Sequence, residues 1–567
     1  MHRSWLCVVI LFALVCLGGL ACRRGAAPGG TELEPPWFAD VTDEVGLKFV
    51  HDPGPHDKYA LPSLVGSGAA FFDYDNDGLL DIYLIQNGGP GSGHKNQLFH
   101  QKSDGTFEDK STGSGLDVDG FGQGVAVGDV NNDGFPDVLL TEYGRIRLFL
   151  NNGNGTFRDV TKEAGLDNPQ WATSAAFVDY DRDGWLDLVV GNYVEFNPSI
   201  ECKDSAGKRD FCAPSSYYPS VSRIFHNLGA KEHSEVRFED RTVASGFSSK
   251  PGMALGIVCA DFDGDGWPDI FIANDGRPNH LWMNQHNGTF REEGVKRNVA
   301  YNGMGGAEAN MGIALGDVDG DGLFDLFVTH LNTESHRLWQ QKPRGFFQDR
   351  TVAAQLTPYF ARSTGFGALF GDFDLDGAID LALVNGRVLR EANSNQAESA
   401  NDFWGAYREH NGLFVNDGGG KFRSLVESNP AFCGRLTLAR GLACGDFNND
   451  GALDLLVTAV GEPARLFRNV AKRRGHWLLI RAIDPSLKRD AYGAEIIVHA
   501  GAQHWTRWLN PAFSYLCSND PRAHFGLGAT EKLDSIEVLW PDGIREQFPG
   551  PAVDRAVTLK KGEGRNR

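Results

Sequence analysis

Short apolar runs separated by acidic, glycine-rich turns recur along most of this chain. Leu79-Leu80-Asp81-Ile82-Tyr83-Leu84-Ile85 and Asp454-Leu455-Leu456-Val457 are two of them. Their length and residue types predict buried strands. Each belongs to a larger unit that predicts four strands. The first strand reads like Met311-Gly312-Ile313-Ala314-Leu315-Gly316, and an acidic turn leads into the second, apolar strand. The third has the form Arg147-Leu148-Phe149-Leu150-Asn151. After a Gly/Asn turn the fourth follows, as in Thr156-Phe157-Arg158-Asp159-Val160-Thr161. Most acidic turns recur every 50–56 residues, slightly above the period of about 40–50 residues usual for a propeller blade. Seven such units predict an all-β fold, a seven-bladed β-propeller.

The strand count is offset at the two ends. Fourth strands begin at Phe38, Phe107, Phe157, Phe238, Phe290, Phe347 and Phe422. Phe38-Ala39-Asp40-Val41-Thr42 precedes every acidic turn, whereas Arg465-Leu466-Phe467-Arg468-Asn469 is a third strand with no fourth after it. The N-terminal strand is therefore expected to complete the last blade, which closes the ring and removes an exposed edge.

The acidic turns read D-x-D-x-D-G-x-x-D. The first holds Asp73, Asp75, Asp77, Gly78 and Asp81; the second Asp129, Asn131, Asp133, Gly134 and Asp137; the third Asp179, Asp181, Asp183, Gly184 and Asp187. The fourth holds Asp261, Asp263, Asp265, Gly266 and Asp269, and the fifth Asp317, Asp319, Asp321, Gly322 and Asp325. Asp372, Asp374, Asp376, Gly377 and Asp380 form the sixth, and Asp446, Asn448, Asp450, Gly451 and Asp454 the seventh. Alternate carboxylates around a tight turn suit a hard cation such as Ca²⁺, which takes six to eight oxygen ligands at about 2.3–2.6 Å. The glycine permits the bend that wraps the chain around the ion. The expected cofactor is Ca²⁺, up to seven ions, one per blade. An EF-hand would flank each loop with helices and place Glu at position twelve; these loops run into strands.

Two spacings are long. Residues 192–222 insert Cys202 and Cys212, expected to pair in a disulfide. Residues 386–411 insert Arg387, Arg390, Trp404, Tyr407, Arg408 and His410. Both insertions join second to third strands, so both fall on the face away from the acidic turns. Aromatic residues with Arg make a candidate contact surface for a protein or glycan ligand; the alternative is a solvated decoration. Cys259 and Cys444 precede acidic turns on buried-looking strands and read as core. Cys433 and Cys517 remain unassigned.

Residues 1–21 have the layout of a secretory signal: Arg3, then an apolar run from Trp5 to Leu20. Gly19-Leu20-Ala21-Cys22 resembles a lipobox, in which Cys22 is lipidated and anchors the chain to a membrane. Ordinary cleavage and an uncleaved anchor are the alternatives. Residues 22–36 read as a Gly/Pro-rich tether and 37–470 as the propeller. Residues 475–561 form a smaller β domain, with strands at Trp477-Leu478-Leu479-Ile480-Arg481 and Ala494-Glu495-Ile496-Ile497-Val498-His499. The expected location is the cell envelope or the exterior.

Composition refines this picture. The chain has 567 residues, 41% of them hydrophobic, with 70 glycines, as a turn-rich β protein requires. The formal net charge of −20 argues against nucleic acid as a partner. Seven divalent ions would remove most of that charge, so the acidity belongs largely to the turns.

The repeats resemble the FG-GAP/VCBS family, to which the integrin α-subunit propellers belong, and the family's calcium loops match the positions above residue by residue. Asn131 and Asn448 depart from Asp and cost two sites a charge each. Arg489-Asp490-Ala491-Tyr492-Gly493-Ala494, Ser514-Tyr515-Leu516-Cys517-Ser518-Asn519-Asp520-Pro521, His524-Phe525-Gly526-Leu527-Gly528 and Val538-Leu539-Trp540-Pro541-Asp542-Gly543 resemble the ASPIC/UnbV domain. The combination resembles the cartilage acidic protein family and its bacterial relatives. It implies an extracytoplasmic, calcium-binding interaction or adhesion module rather than a defined reaction. No G-x-S-x-G, H-E-x-x-H or P-loop is present. His51, Asp52, His56 and Asp57, and His330, Asn332 and His336, are the remaining polar clusters. An extracytoplasmic enzyme or enzyme subunit, and a structural envelope component, are the alternative functions.

Overall fold

The computed structural model describes residues 34–229, 236–357, 363–390, 402–472 and 475–566. The signal segment, Cys22 and most of the tether lie outside the described residues. Pro35–Arg567 form one compact unit.

Seven four-stranded antiparallel sheets make seven blades. In the second, Gly122–Gly128 pairs with Asp137–Glu142, which pairs with Arg145–Asn151 and then Phe157–Asp159. The first strands, Ala69–Phe72, Gly122–Gly128, Ala172–Val178, Ala254–Ala260, Ile313–Gly316, Gly365–Gly371 and Ala439–Gly445, neighbour one another in a closed cycle around a central channel. Each blade packs between two others, so Gly122–Gly128 is buried at every position. This is why these strands read as continuous apolar runs rather than alternating ones. Fourth strands lie at the outer rim, where only their leading phenylalanine is buried, as at Phe157.

The ring closes as the sequence predicts. Phe38 pairs with Asn469, Ala39 with Arg468 and Asp40 with Phe467, so the N-terminal strand is the fourth strand of the last blade.

The C-terminal domain has two sheets around its own core. One contains His476–Asp484, Arg489–Asp490, Ala523–Gly528 and Arg555–Lys560. The other contains Ala494–Ala500, Gln503–Leu509, Ser535–Leu539, Arg545–Pro549 and Arg565–Asn566. That last strand extends the domain past residue 561, the boundary expected from the sequence.

Between Leu509 and Ala523 the domain sends a segment into the channel. Ser514 exchanges two backbone hydrogen bonds with Ile313, at 2.7 and 2.9 Å. Val125 donates to Leu516, and Ser518 accepts from Phe71 and donates to Ala69. Asp520 donates to Cys444, whose own N–H reaches Asn519 Oδ1. Groups on the inner edges of four blades thus find partners in the plug. Tyr515 passes furthest, and its hydroxyl donates to the carbonyl of Val65.

Candidate metal centres and the domain that covers them

The acidic turns repeat one hydrogen-bonding scheme. At position one, Asp73 accepts the N–H of Asp77 at 3.0 Å and of Gly78 at 2.9 Å. At position five, Asp77 accepts the N–H of Leu79. At position nine, Asp81 accepts the N–H of Tyr74 and, at 2.8 Å, that of Gln101 at the end of the third strand. Asp137, Asp187, Asp269, Asp325, Asp380 and Asp454 repeat the position-nine role with the N–H groups of Asn151, Asn227, Asn284, Gln341, Asn416 and Asn469. All seven are buried, and each ties the turn to the far end of the neighbouring strand.

Burial raises these carboxyl groups above their ordinary range. Asp81 is pushed up to about 8 and Asp372 to about 8, Asp129 and Asp446 to about 6. Asp137, Asp187, Asp269, Asp325, Asp380 and Asp454 rise well above it. Neighbouring carboxylates add to the rise, and backbone N–H groups only partly offset it. A bound cation would supply the missing compensation.

Carboxylate oxygens of Asp73, Asp75 and Asp77 converge within 4.8 Å of one another, as do those of Asp179, Asp181 and Asp183, and of Asp261, Asp263 and Asp265. Asp75 Oδ1, Asp179 Oδ1, Asp263 Oδ1 and Asp319 Oδ1 are buried and accept no hydrogen bond among the described residues. Converging oxygens with spare lone pairs fit a hard divalent ion.

The loops are not equivalent. His100 Nδ1 lies 3.1 Å from Asp81 and 3.5 Å from Asp75, and His226 Nδ1 lies 3.0 Å from Asp187 and 3.3 Å from Asp181. The hydrogen bond to Asp187 raises the His226 imidazole to about 9. In the fourth loop Arg297 pairs with Asp263 and His286 with Asp265. Asn131 directs its amide N–H at Asp133, and Asn448 accepts the N–H of Asp450. Asp317 accepts the N–H groups of Asp321 and Gly322, Asp321 that of Leu323, Asp374 that of Asp376, Asp376 that of Ala378 and Asp450 that of Ala452.

Sequence reasoning missed the role of the last residue of each third strand. Asn151, Asn227, Asn284, Asn416 and Asn469 each donate to the position-two carbonyl of the preceding blade, and Gln101 does so to Phe447 across the ring closure. The recurrent Asn was visible in the sequence, but its partner lies in another repeat.

The C-terminal domain covers the loops. Arg489 donates to Asn132 and Gly184 beside the second and third, and Arg522 to Asn449 and the Asp446 carbonyl at the seventh. His524 lies 2.9 Å from the Gly451 carbonyl, and Trp505 donates to that of Gly377. A Cβ on Gly526 would stand 1.9 Å from Asp372 Oδ2, so only glycine lets the domain approach the sixth loop. Leu375 takes φ +64 in that loop and is buried against Trp477 and Leu479.

The expected ligand face is corrected by the structure. Trp404 and Tyr407 are 9% and 0% exposed, inside a cluster with Tyr193, Phe211, Phe366 and Tyr515 that closes the opposite mouth of the channel. Tyr407 donates to Asp210, and Arg390 donates to the hydroxyls of Tyr407 and Tyr59. Arg387 pairs with Glu409, and Arg408 with Glu462 and Asp402. Of the six, only His410 is exposed, with Nδ1 2.9 Å from the Cys433 carbonyl. Aromatic rings and arginines in an insertion looked like contact chemistry. They serve instead to fill an opening that the repeats cannot fill.

Cys202 and Cys212 are joined by a disulfide. Cys259, Cys433, Cys444 and Cys517 are free and buried. His330 and His336 are also buried. His330 Nε2 lies 2.9 Å from Asn310 Oδ1, and His336 Nδ1 accepts the His330 N–H. No helix among the described residues is long and apolar enough to cross a membrane.

Comparison with known proteins places this geometry. FG-GAP-like repeats match residues 73–140, 129–190 and 261–328, and an ASPIC and UnbV domain matches residues 484–566. Cartilage acidic protein 1 of Xenopus tropicalis is 26% identical over 545 residues, covering 91% of this chain and 75% of that protein. The same-named protein of Mus musculus is 29% identical over 313 residues, covering 53% of this chain and 43% of that one. A solved structure of an Agrocybe aegerita lectin, determined for its recognition of non-reducing terminal N-acetylglucosamine, is 13% identical with a TM-score of 0.38. That match covers 70% of this chain and 86% of the lectin.

Proposed function

We propose that this chain is an exported calcium-binding interaction module, held to a membrane through a lipid on Cys22, that engages a protein or glycan with its exposed face. The premise is that it is an FG-GAP repeat protein with a C-terminal ASPIC/UnbV domain, homologous to cartilage acidic protein 1 over most of its length. One observation carries the calcium reading: buried carboxylate oxygens converge in the turns while accepting no hydrogen bond. Carboxylate oxygens predominate around each glycine turn, with an imidazole beside the first, third and fourth loops, and that donor set favours Ca²⁺ over a transition metal.

Calcium acts passively in this reading. It neutralises carboxylates that burial disfavours, and it fixes each first turn against the domain above it. The contact surface then falls to the other side, where Tyr218 and Met304 are 77% and 92% exposed. Exposed apolar side chains on a rigid frame are the usual material of an interface. Neither family description names a reaction, and the Asp residues at positions one, five and nine of the turns hold backbone N–H groups, so binding is favoured over catalysis.

Native mass spectrometry of the full chain in calcium is expected to give six or seven bound ions. Two or fewer would sink the calcium reading. A pull-down from the cell envelope with and without chelator then tests the interaction, since a calcium-ordered module loses its partner when chelated.

A further inference from the structure

The mouth of the channel away from the metal loops encloses a cavity of about 270 Å³. Leu61, Val65, Leu255, Met311, Leu331 and Phe366 give it apolar walls. Two carboxylates, Asp275 and Glu334, interrupt them. Asp275 is 8% exposed, and the Tyr193 hydroxyl holds its Oδ2 at 2.5 Å. Asp275 Oδ1 makes no hydrogen bond or ion pair among the described residues.

One residue sets the two acids side by side. Ala309 forms a β-bridge with Asp275, and its N–H reaches Glu334 Oε2 at 3.0 Å. No cationic side chain lies within ion-pair distance of either carboxylate among the described residues. Arg277 stands exposed at the rim. Burial first, and the charge of Glu334 after it, push Asp275 up to about 7, while hydrogen bonding to Tyr193 works the other way.

A negative charge facing an apolar void is costly unless something positive meets it. Among the described residues the lining offers one cation, Arg277, which stands exposed at the rim and pairs with neither acid. Concave, mostly apolar sites with a few convergent polar atoms are the ordinary form of a small-molecule pocket. The walls offer little to the hydroxyls of a sugar, and the acids repel an anion.

We propose that this cavity binds a small apolar amine, its ammonium group seated between Asp275 and Glu334 and its hydrocarbon body against the methionine, leucine and phenylalanine walls. The site shares no residue with the metal loops, so it stands whether or not they hold calcium.

Three probes with one body and different charge test it on the full chain: n-hexylammonium, n-hexanol and n-hexanoate, titrated by calorimetry or ligand-observed NMR. Hexylammonium is expected to bind saturably and about tenfold tighter than hexanol, with hexanoate weakest. Glu334→Gln and Asp275→Asn should each cost hexylammonium about tenfold and leave hexanol within about threefold. Should Asp275→Asn misfold for want of a partner for Tyr193, Glu334→Gln decides alone. Equal affinity for the three probes, no saturable binding of hexylammonium, or an unchanged hexylammonium affinity in Glu334→Gln would overturn the proposal.

Discussion

The two mouths of the channel are closed by opposite means. On the metal-loop side the material is repeated and polar: seven copies of one turn, buried carboxylates and a separate domain laid over them. On the other side it is apolar and not repeated: Trp171, Tyr193, Phe211, Trp404 and Tyr407, drawn from different connections. Arg440 also lies there, fully buried, donating to the carbonyls of Leu64, Gly386, Arg387 and Ala439 and 3.8 Å over the Phe366 ring. A repeat can specify one mouth because every blade contributes the same turn to it. The other mouth has an irregular outline and needs pieces found once each. The first should therefore respond to divalent ions and the second should not.

The strongest challenge to that contrast is Asp380→Ala. The side chain is fully buried and accepts the N–H groups of Phe373 at 3.0 Å and Asn416 at 2.9 Å. Removing it should cost about 3–5 kcal/mol and flatten the rise in melting temperature on adding calcium. Asp77→Ala, at an exposed ligand position, should cost under about 1 kcal/mol in chelator and weaken only the calcium response. If Asp380→Ala in saturating calcium melts like the parent, the buried carboxylates are not structural.

Next comes acid. His51, near the apolar mouth, is held down to about 4 by burial, with Arg440 lowering it further and Asp52 raising it. Unfolded, it would titrate near its ordinary value of 6.5. As the pH falls below that value the unfolded chain takes up a proton the folded chain refuses, so stability is lost down to about pH 4. The loss reaches about 3 kcal/mol for this residue. His51→Gln should recover part of it, equally with and without calcium; recovery confined to calcium-loaded protein would break the contrast.

The smallest effect is expected at the disulfide. Cys202 and Cys212 close a loop with a sequence separation of 10, so replacing both with Ser should cost about 2 kcal/mol, the low end for a short loop. Calcium stoichiometry should not change. A lost ion would mean that the insertion reaches the metal face after all.

Much of this was legible in advance because it is periodic. The turn motif, the glycine at position six, the phenylalanine that opens each fourth strand and the N-terminal strand in the last blade follow from counting. The apolar runs report burial on both faces. Other features depend on parts of the chain that no local pattern relates. Asn151 looks like an ordinary strand end until its amide meets the Tyr74 carbonyl of the blade before it. Trp404 and Arg408 looked available because an insertion is surface by default, yet Trp404 stacks near Phe211 from the other insertion.

The sequence by itself determined the blade, its number and the acids of each turn, because repetition writes the same short-range geometry seven times. Only the tertiary structure decided which end of the channel is which: the Ser514–Ser518 plug entering from the loop side, Gly526 against Asp372, and the aromatic closure opposite. Those are contacts between distant segments, fixed by the shape left over once the ring has closed. A one-dimensional pattern holds no record of that shape.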